Sequence, residues 1–347
     1  MTARVETGGR LHFGFLNLSL ANERLYGSLG VALDQPRVVV EAEHADRAVC
    51  GHDRARPYVE RACSLLDVPG ADVAVREELP VHVGLGSGTQ LALAVLAAVA
   101  RVHDLAPEVR TRARNSAAAG GAGRVATFES GGFVLDAGHP TERFTTDRPP
   151  RGEWEVPPVA ARHDVPADWR FVLVLPEAAP GKSDEGEDES MRAAVESADG
   201  SLADRISGVV TRSVLPALAT GDVDAFGAAV AAVGRLNGAW YADEQGGVYR
   251  PPAGAIVNEL GDSPAISGAG QSSWARRCTA SRTPTARMRR KRRDTTHSTQ
   301  RASTATSSSS HPGTVARPSR TEAPTASALR GTADCTSIRH NRQPRVD

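Results

Sequence analysis

The stretch PVHVGLGSGTQLALAVLAAVA, Pro80 to Ala100, reads as an extended segment, a glycine-rich bend and a long apolar helix. Gly84, Leu85, Gly86, Ser87, Gly88, Thr89 and Gln90 stand where that helix begins. The first turn of a helix leaves N–H groups unpaired, and its dipole favours negative charge there. Glycines let backbone approach a ligand where a side chain would block it. Together these features make a cradle for an anion, most often a phosphate. The same residues also fit a plainer arrangement, in which Ser87 or Thr89 caps a core helix and the glycines make the turn.

Other residues offer chemistry singly. His12 lies in an alternating strand, either as a catalytic group or as a satisfied core or edge histidine. Asn17 has the groups to bond a sugar or a phosphate, or to cap its own turn. Trp240 and Tyr241 suit stacking on an aromatic ring, or packing. Glu244 and Gln245 follow in a loop, as ligands for magnesium or a ribose hydroxyl, or as solvated surface. The run DEGEDE, Asp184 to Glu189, reads as a solvated acidic loop rather than a metal site. Cys50, Cys63, Cys278 and Cys335 lack Cys-x-x-Cys spacing, so neither zinc nor a disulfide framework is indicated. No metal ligand set is assigned.

These residues must be held by elements that the pattern outlines. VETGGRLHFGFLNLS and GSLGVALDQPRVVVEAE are strand-rich, and DRARPYVERACSLLDV has helical spacing closed by Pro69-Gly70. ADVAVREELPVHV returns to strands, and FESGGFVLDAGH reads as a strand pair about a Gly-Gly turn. Residues Arg143 to Ala167, rich in proline and charge, read as a connection or as edge strands. A buried strand in DWRFVLVLPE then opens a second unit. Two helices follow, in LADRISGVVTRSVLPALAT and DVDAFGAAVAAVGRLNGAW, and GAIVNELGDSPAISGAGQSSW reads as helix, turn, strand and a second small-residue loop. The expected class is mixed α+β with antiparallel strands.

The net charge of zero hides a split: residues 1–274 hold 37 Asp+Glu against 25 Lys+Arg, and residues 275–347 hold 4 against 16. An acidic body argues against general nucleic-acid binding. The motif helix has its apolar run, Leu91 to Ala100, far short of the ~20 residues that span a bilayer. The N-terminus lacks a secretory apolar region. A cytoplasmic protein without membrane or nucleic-acid partners is expected.

With order and spacing considered, the body resembles the GHMP kinase superfamily, and within it the beta-ribofuranosylaminobenzene 5'-phosphate synthases of archaea. GRLHFGFLNLS looks like that family's N-terminal motif, and PVHVGLGSGTQLALAV is similar to the superfamily's phosphate loop. SGAGQSSW looks like the start of its C-terminal glycine motif, which makes Gly268, Ala269, Gly270 and Gln271 further phosphate-binding candidates. FESGGFVLDAGH and NGAWYADEQGGVYRP are similar to the synthase group. The resemblance implies a two-domain α+β fold, with a ribosomal-protein-S5-domain-2-like domain over 1–150 and a ferredoxin-like domain over 151–274.

It also implies a reaction. Such synthases join 4-aminobenzoate or a related benzoate to phosphoribosyl pyrophosphate, release pyrophosphate and carbon dioxide, and serve methanopterin-type pterin synthesis. Magnesium would be held mainly by the substrate phosphates; a homodimer is compatible with this family. Kinases of the superfamily place a catalytic aspartate seven residues before a Gly-Gly pair; here the pair is Gly131-Gly132 and that position is Arg124. Glu129 or Asp136 would have to stand in as base. An ATP-dependent small-molecule kinase is therefore the second reading, and a nucleotide-binding protein without catalysis the third. Family members continue past the glycine motif into closing strands, whereas this chain changes character at Trp274–Ala275. The C-terminal end reads as out of frame or replaced, the second domain as incomplete, and residues 275–347 as a disordered basic Ser/Thr/Arg-rich tail.

Overall fold

Alternating apolar residues make Thr2–Asn17 the first strand, β1, and Arg24–His44 the second, β2; the two pair antiparallel along most of their length. The structure is a computed structural model and describes residues 2–81, 83–113, 122–143, 155–175, 185–272, 278–282 and 306–310. On β1, Ala3, Val5 and Leu11 are buried. Arg4 and Glu6, between them, pair with each other and with Glu41 and Arg37 on β2. After β2 come helix α1 (Arg56–Leu66), strand β3 (Ala71–Glu77) and helix α2 (Ser87–Val102). Helices α3 (Val109–Ala113) and α4 (Ala122–Ser130) follow, then strands β4 (Phe133–Asp136), β5 (His139–Pro140) and β6 (Val159–His163). The first sheet runs β1-β2-β4-β6, with β3 and β5 also on β2.

Every residue of α2 from Leu91 to Ala100 is buried, so this helix is the axis of the core and not an amphipathic surface helix. The strand β6 lies beyond residue 150, so the first sheet reaches past the expected domain boundary.

The second half begins with β7 (Arg170–Leu175) and helix α5 (Glu185–Ser197). Helix α6 (Gly200–Val209) runs through a π turn, Val210–Val214, into α7 (Leu215–Thr220). Then come α8 (Val223–Trp240), α9 (Ala242–Gln245) and α10 (Ala253–Gly261), and strands β8 (Gly268–Gln271), β9 (Cys278–Arg282) and β10 (Thr306–Ser310). Asp199 and Asp222 cap α6 and α8 by accepting from Ser201 N and Ala225 N. The second sheet is ordered β10-β7-β9-β8.

One core serves both halves. The chain has seven Phe and four Trp, and four of the former and one of the latter meet around Phe226 of α8. Its ring lies 5.9 Å from Phe13 of β1, 6.2 Å from Phe133 of β4 and 4.9 Å from Trp169, and Phe171 of β7 lies 6.3 Å from Phe13.

Four expectations are corrected here. Phe128, Glu129 and Ser130 end helix α4 rather than forming a strand; Gly131 and Gly132, both at positive φ, turn the chain into β4. The small-residue segment at Gly268 is a strand, because β9 offers it a ladder. The acidic run at Glu185 belongs to α5. Within the tail expected to lack structure, Cys278–Arg282 pairs with both β7 and β8, and Thr306–Ser310 pairs with β7. Ladder bonds come from the main chain, so a Ser/Thr-rich segment can cover an open edge without apolar side chains. The remaining tail residues, Arg289–Arg293 among them, lie outside the described residues. Among the described residues no helix is long and apolar enough to cross a membrane.

Candidate functional site

The glycine loop is built as its spacing suggests. Gly84 and Gly86 have φ of 72° and 75°, a conformation that L side chains rarely adopt, and Gly86 is the N-cap of α2. No side chain caps that helix, so Ser87 and Thr89 do not play the plainer role. Leu85 is buried in the core, and its carbonyl accepts from the Arg10 amide at 3.0 Å, fastening the loop to β1. Gly88 passes close to the Tyr58 hydroxyl. Gln90 is a support rather than a ligand group: it is buried, its Oε1 accepts from Thr7 at 2.8 Å, and its Nε2 donates to the Arg124 carbonyl at 3.2 Å.

Arg124 lies over the cradle. A Cβ placed on Gly86 would come within 2.9 Å of Arg124 Cδ, and Arg124 Nη1 donates to Thr89 Oγ1 at 3.4 Å. Where the kinases carry an aspartate, this chain brings a guanidinium to a helix N-terminus. Both favour an anion.

Behind Arg124 sits a buried network that sequence reasoning missed. Arg10, only 5 % exposed, donates from Nη2 to Ser28 Oγ at 3.0 Å and from Nη1 to His12 Nδ1 at 3.2 Å. Ser28 in turn donates to Asp136 Oδ2, whose other oxygen accepts from Gly138 N at 3.1 Å. The Arg10 guanidinium lies between two glycines. A Cβ on Gly30 would stand 2.7 Å from its Nε, and one on Gly123 would stand 2.5 Å from its Nη2. Nε itself has no partner among the described residues. Burial and the neighbouring Arg124 draw Arg10 down to about 10, against the pull of Asp136. Burial pushes the Asp136 carboxyl above its ordinary range, and Ser28, Arg10 and the Gly138 amide only partly offset this. His12 is held well below its ordinary 6.5, first by burial and then by Arg10 and Arg124. At neutral pH the cluster therefore holds two guanidinium charges and a neutral imidazole, beside a carboxyl whose proton affinity burial has raised.

The second half reaches this cluster through Ser272 and Asn237. Ser272, fully buried just after β8, accepts from the His12 amide at 3.1 Å. Nearby, Asn237 of α8 clamps the β1 bulge: its Oδ1 accepts from Phe15 N at 2.7 Å and its Nδ2 donates to Phe15 O at 3.0 Å. The clamp needs Gly14, whose Cβ would meet the Asn237 amide at 2.7 Å.

Several expected site residues are corrected. Asp136 is brought to the site, but both its oxygens are engaged, so it anchors Ser28 rather than serving as an open base. Glu129 is tied to Arg110 of α3 at 3.0 Å. Asn17 caps its own turn: it donates to the carbonyls of Ser19 and Arg24 at 2.7 Å and accepts from Ser19 N. Trp240 and Tyr241 are packed, with the indole N–H donating to Asp199 O and the phenol to Met191 Sδ. Glu244 accepts from Ser190, and Gln245 donates to Gly238 O and Val248 O. Gly268 lies against the Gly227 backbone of α8, Ala269 is buried, and Gln271 accepts from Arg250 N. Gly270 alone of that segment borders open space. Alternation at Arg10 and His12 was the available signal for the network; nothing in the letters marked Gly30 or Gly123 as its walls.

Comparison with known proteins agrees with this architecture. Residues 54–132 match the GHMP kinases N terminal domain. Homoserine kinase from Cytophaga hutchinsonii superposes with a TM-score of 0.55 over 91% of this chain and 96% of its own, at 14% identity, which shows the fold. A beta-ribofuranosylphenol 5'-phosphate synthase from Methanothermobacter thermautotrophicus is 31% identical over 78% of this chain and 85% of its own. Its namesake from Archaeoglobus fulgidus is 32% identical over 67% and 76%. Fold and loop thus define a two-domain α+β protein of the GHMP superfamily. Within that superfamily the chain belongs to the beta-ribofuranosylphenol 5'-phosphate synthase family. The relatives' name carries a phenol where the sequence motifs pointed to an aminobenzene.

Proposed function

We propose that the chain joins a para-substituted benzoate to phosphoribosyl pyrophosphate, releasing pyrophosphate and carbon dioxide, as a step towards a methanopterin-type cofactor. The observation that carries this reading is the Arg124 guanidinium laid over Gly86 at the uncapped start of α2. Donors fixed where charge develops on a leaving pyrophosphate lower the barrier to its departure. The ring carbon bearing the carboxylate attacks C1 of the ribose while the C1–oxygen bond breaks towards pyrophosphate. The ring–carboxylate bond then breaks, returning its electron pair to the ring and freeing carbon dioxide. No proton has to be removed in these steps, which suits a site whose two sequence-expected carboxylates, Glu129 and Asp136, are both engaged. A kinase needs a base for its acceptor hydroxyl.

Asp136 spends both oxygens on protein donors, and among the described residues no cluster of three or more His, Cys, Asp or Glu is present. Magnesium belongs in this proposal only as a companion of the substrate phosphates. The test is turnover with phosphoribosyl pyrophosphate and either 4-hydroxybenzoate or 4-aminobenzoate. Pyrophosphate should appear only when the aromatic acid is present; steady ADP formation from ATP with a sugar or alcohol acceptor would support the kinase instead.

A further inference from the structure

The direction of each hydrogen bond around Arg10 is fixed by chemistry. A guanidinium has donors and no acceptor, so the His12 Nδ1 that it meets at 3.2 Å must be the bare nitrogen. A neutral imidazole accepting at Nδ1 carries its proton on Nε2. No described residue bonds that Nε2, and His12 as a residue is only partly buried. The ring plane is set by Phe15, 4.7 Å away at 63°, and the backbone beneath it by Ser272. Arg10 can hold this posture because its other arm is fixed on Ser28 and because Gly30 and Gly123 flank it.

We propose that His12 is a hydrogen-bond donor, through Nε2–H, to an anionic oxygen of the substrate, and that Arg10 is the positioning residue that imposes this tautomer. The inference rests on the reading that substrate binds at the start of α2. It gives His12 a role opposite to that of a general base: Nε2 brings a proton and keeps it. Among the described residues, the charged groups that act on the ring are Arg10 of β1 and Arg124 of α4, with Asp136 of β4 linked to it through Ser28 of β2 and Arg10, and Ser272 on its backbone amide. Burial first, and then the two cations among these, oppose protonation, so the donor form persists into mild acid. The anionic oxygen is either a phosphate oxygen or the benzoate carboxylate, and the experiment separates the two.

The first measurement is long-range nitrogen–proton NMR on chain labelled at histidine. His12 should show a protonated Nε2 and a bare Nδ1 from pH 8 to pH 5.5. A protonated Nδ1 in the neutral ring, or an imidazolium at pH 6, would overturn the inference whatever the enzyme's activity. Arg10→Lys keeps a charge but loses the planar fork, and should let both tautomers appear. If that variant does not fold, the wild-type spectrum still decides.

The second measurement is calorimetric binding of pyrophosphate and, separately, of 4-hydroxybenzoate to wild type, His12→Ala and His12→Gln. A hydrogen bond to a charged acceptor corresponds to roughly ten- to a hundredfold in affinity. His12→Ala should lose that much for one of the two ligands, identifying the oxygen that it meets. His12→Gln, whose amide N–H reaches a similar position, should recover most of the loss. Wild type that binds both ligands, with His12→Ala unchanged for each, would overturn the role of His12 alone. Wild type that binds neither would overturn the proposed function and this role with it.

Discussion

Two glycine segments of this chain look alike as letters and differ in purpose. At Gly84–Gln90 two of the glycines, Gly84 and Gly86, sit at positive φ and open a helix N-terminus beneath Arg124. At Gly268–Gln271 the chain is an ordinary strand, and Gly268 is small because a Cβ there would stand 2.0 Å from the Gly227 carbonyl oxygen of α8. One segment uses glycine for a backbone conformation and an approach to a ligand; the other uses it to let a strand lie against a helix. The first should fail in binding when altered, the second in folding.

The sharpest way to break that contrast is a matched pair of substitutions. Gly86→Val should abolish binding of pyrophosphate, a loss of at least about a hundredfold (~2.7 kcal/mol), while the chain stays folded by circular dichroism. Gly268→Val should instead lower stability by about 3 kcal/mol or more through overpacking, read as an earlier urea midpoint. Wild-type affinity in the first variant would end the phosphate-cradle reading, and an unshifted midpoint in the second would end the packing reading.

Next in size is Arg124→Ala. Because the guanidinium overlies the first segment, its removal should weaken pyrophosphate about ten- to a hundredfold, with little change in stability. Equal losses in both quantities, by calorimetry and melting, would make Arg124 a structural residue instead.

Acidity separates the regions more gently. His12 beside the first segment is depressed well below 6.5, and His139 at the edge of the same sheet is lowered to about 4, chiefly by burial and then by Arg143 and Arg24. Between about 4 and 6.5 the unfolded chain binds more protons at these positions than the folded one. Stability is therefore present above 6.5 and lost as pH falls through that window. Urea midpoints at pH 7 and pH 5 should differ, and His139→Gln should reduce the difference. An unchanged difference would remove His139 from the account. The smallest effect is expected at Gly270, which borders open space: Gly270→Ala should stay within about 0.5 kcal/mol of wild type.

Much of the first half was legible because its signals are local. The loop letters carried their own dihedral requirement, and the apolar run after them could only be a buried helix. The site was less legible because its working residues are joined through space. Arg10 reads as a polar residue on a strand until Ser28, Asp136 and the bare sides of Gly30 and Gly123 close around it. Asn17, Trp240 and Tyr241 were ambiguous between ligand and scaffold, and their partners, turn carbonyls and packed neighbours, decided for scaffold. The strand at Gly268 was misread as a loop because small residues carry little strand preference; its ladder partner supplied the conformation.

The bond between the His12 amide and the Ser272 hydroxyl spans 260 residues of sequence. At roughly 5–20 residues per second, a ribosome needs on the order of 13–50 s to travel from one to the other. Until then the nascent strand must leave that donor to water, with its first sheet assembled and its cradle unfinished. A stalled or prematurely released chain would thus present the glycine loop without the hydroxyl that steadies the strand behind it. The arrival of Ser272, and not the appearance of the loop, is the event that fixes the backbone beneath the imidazole.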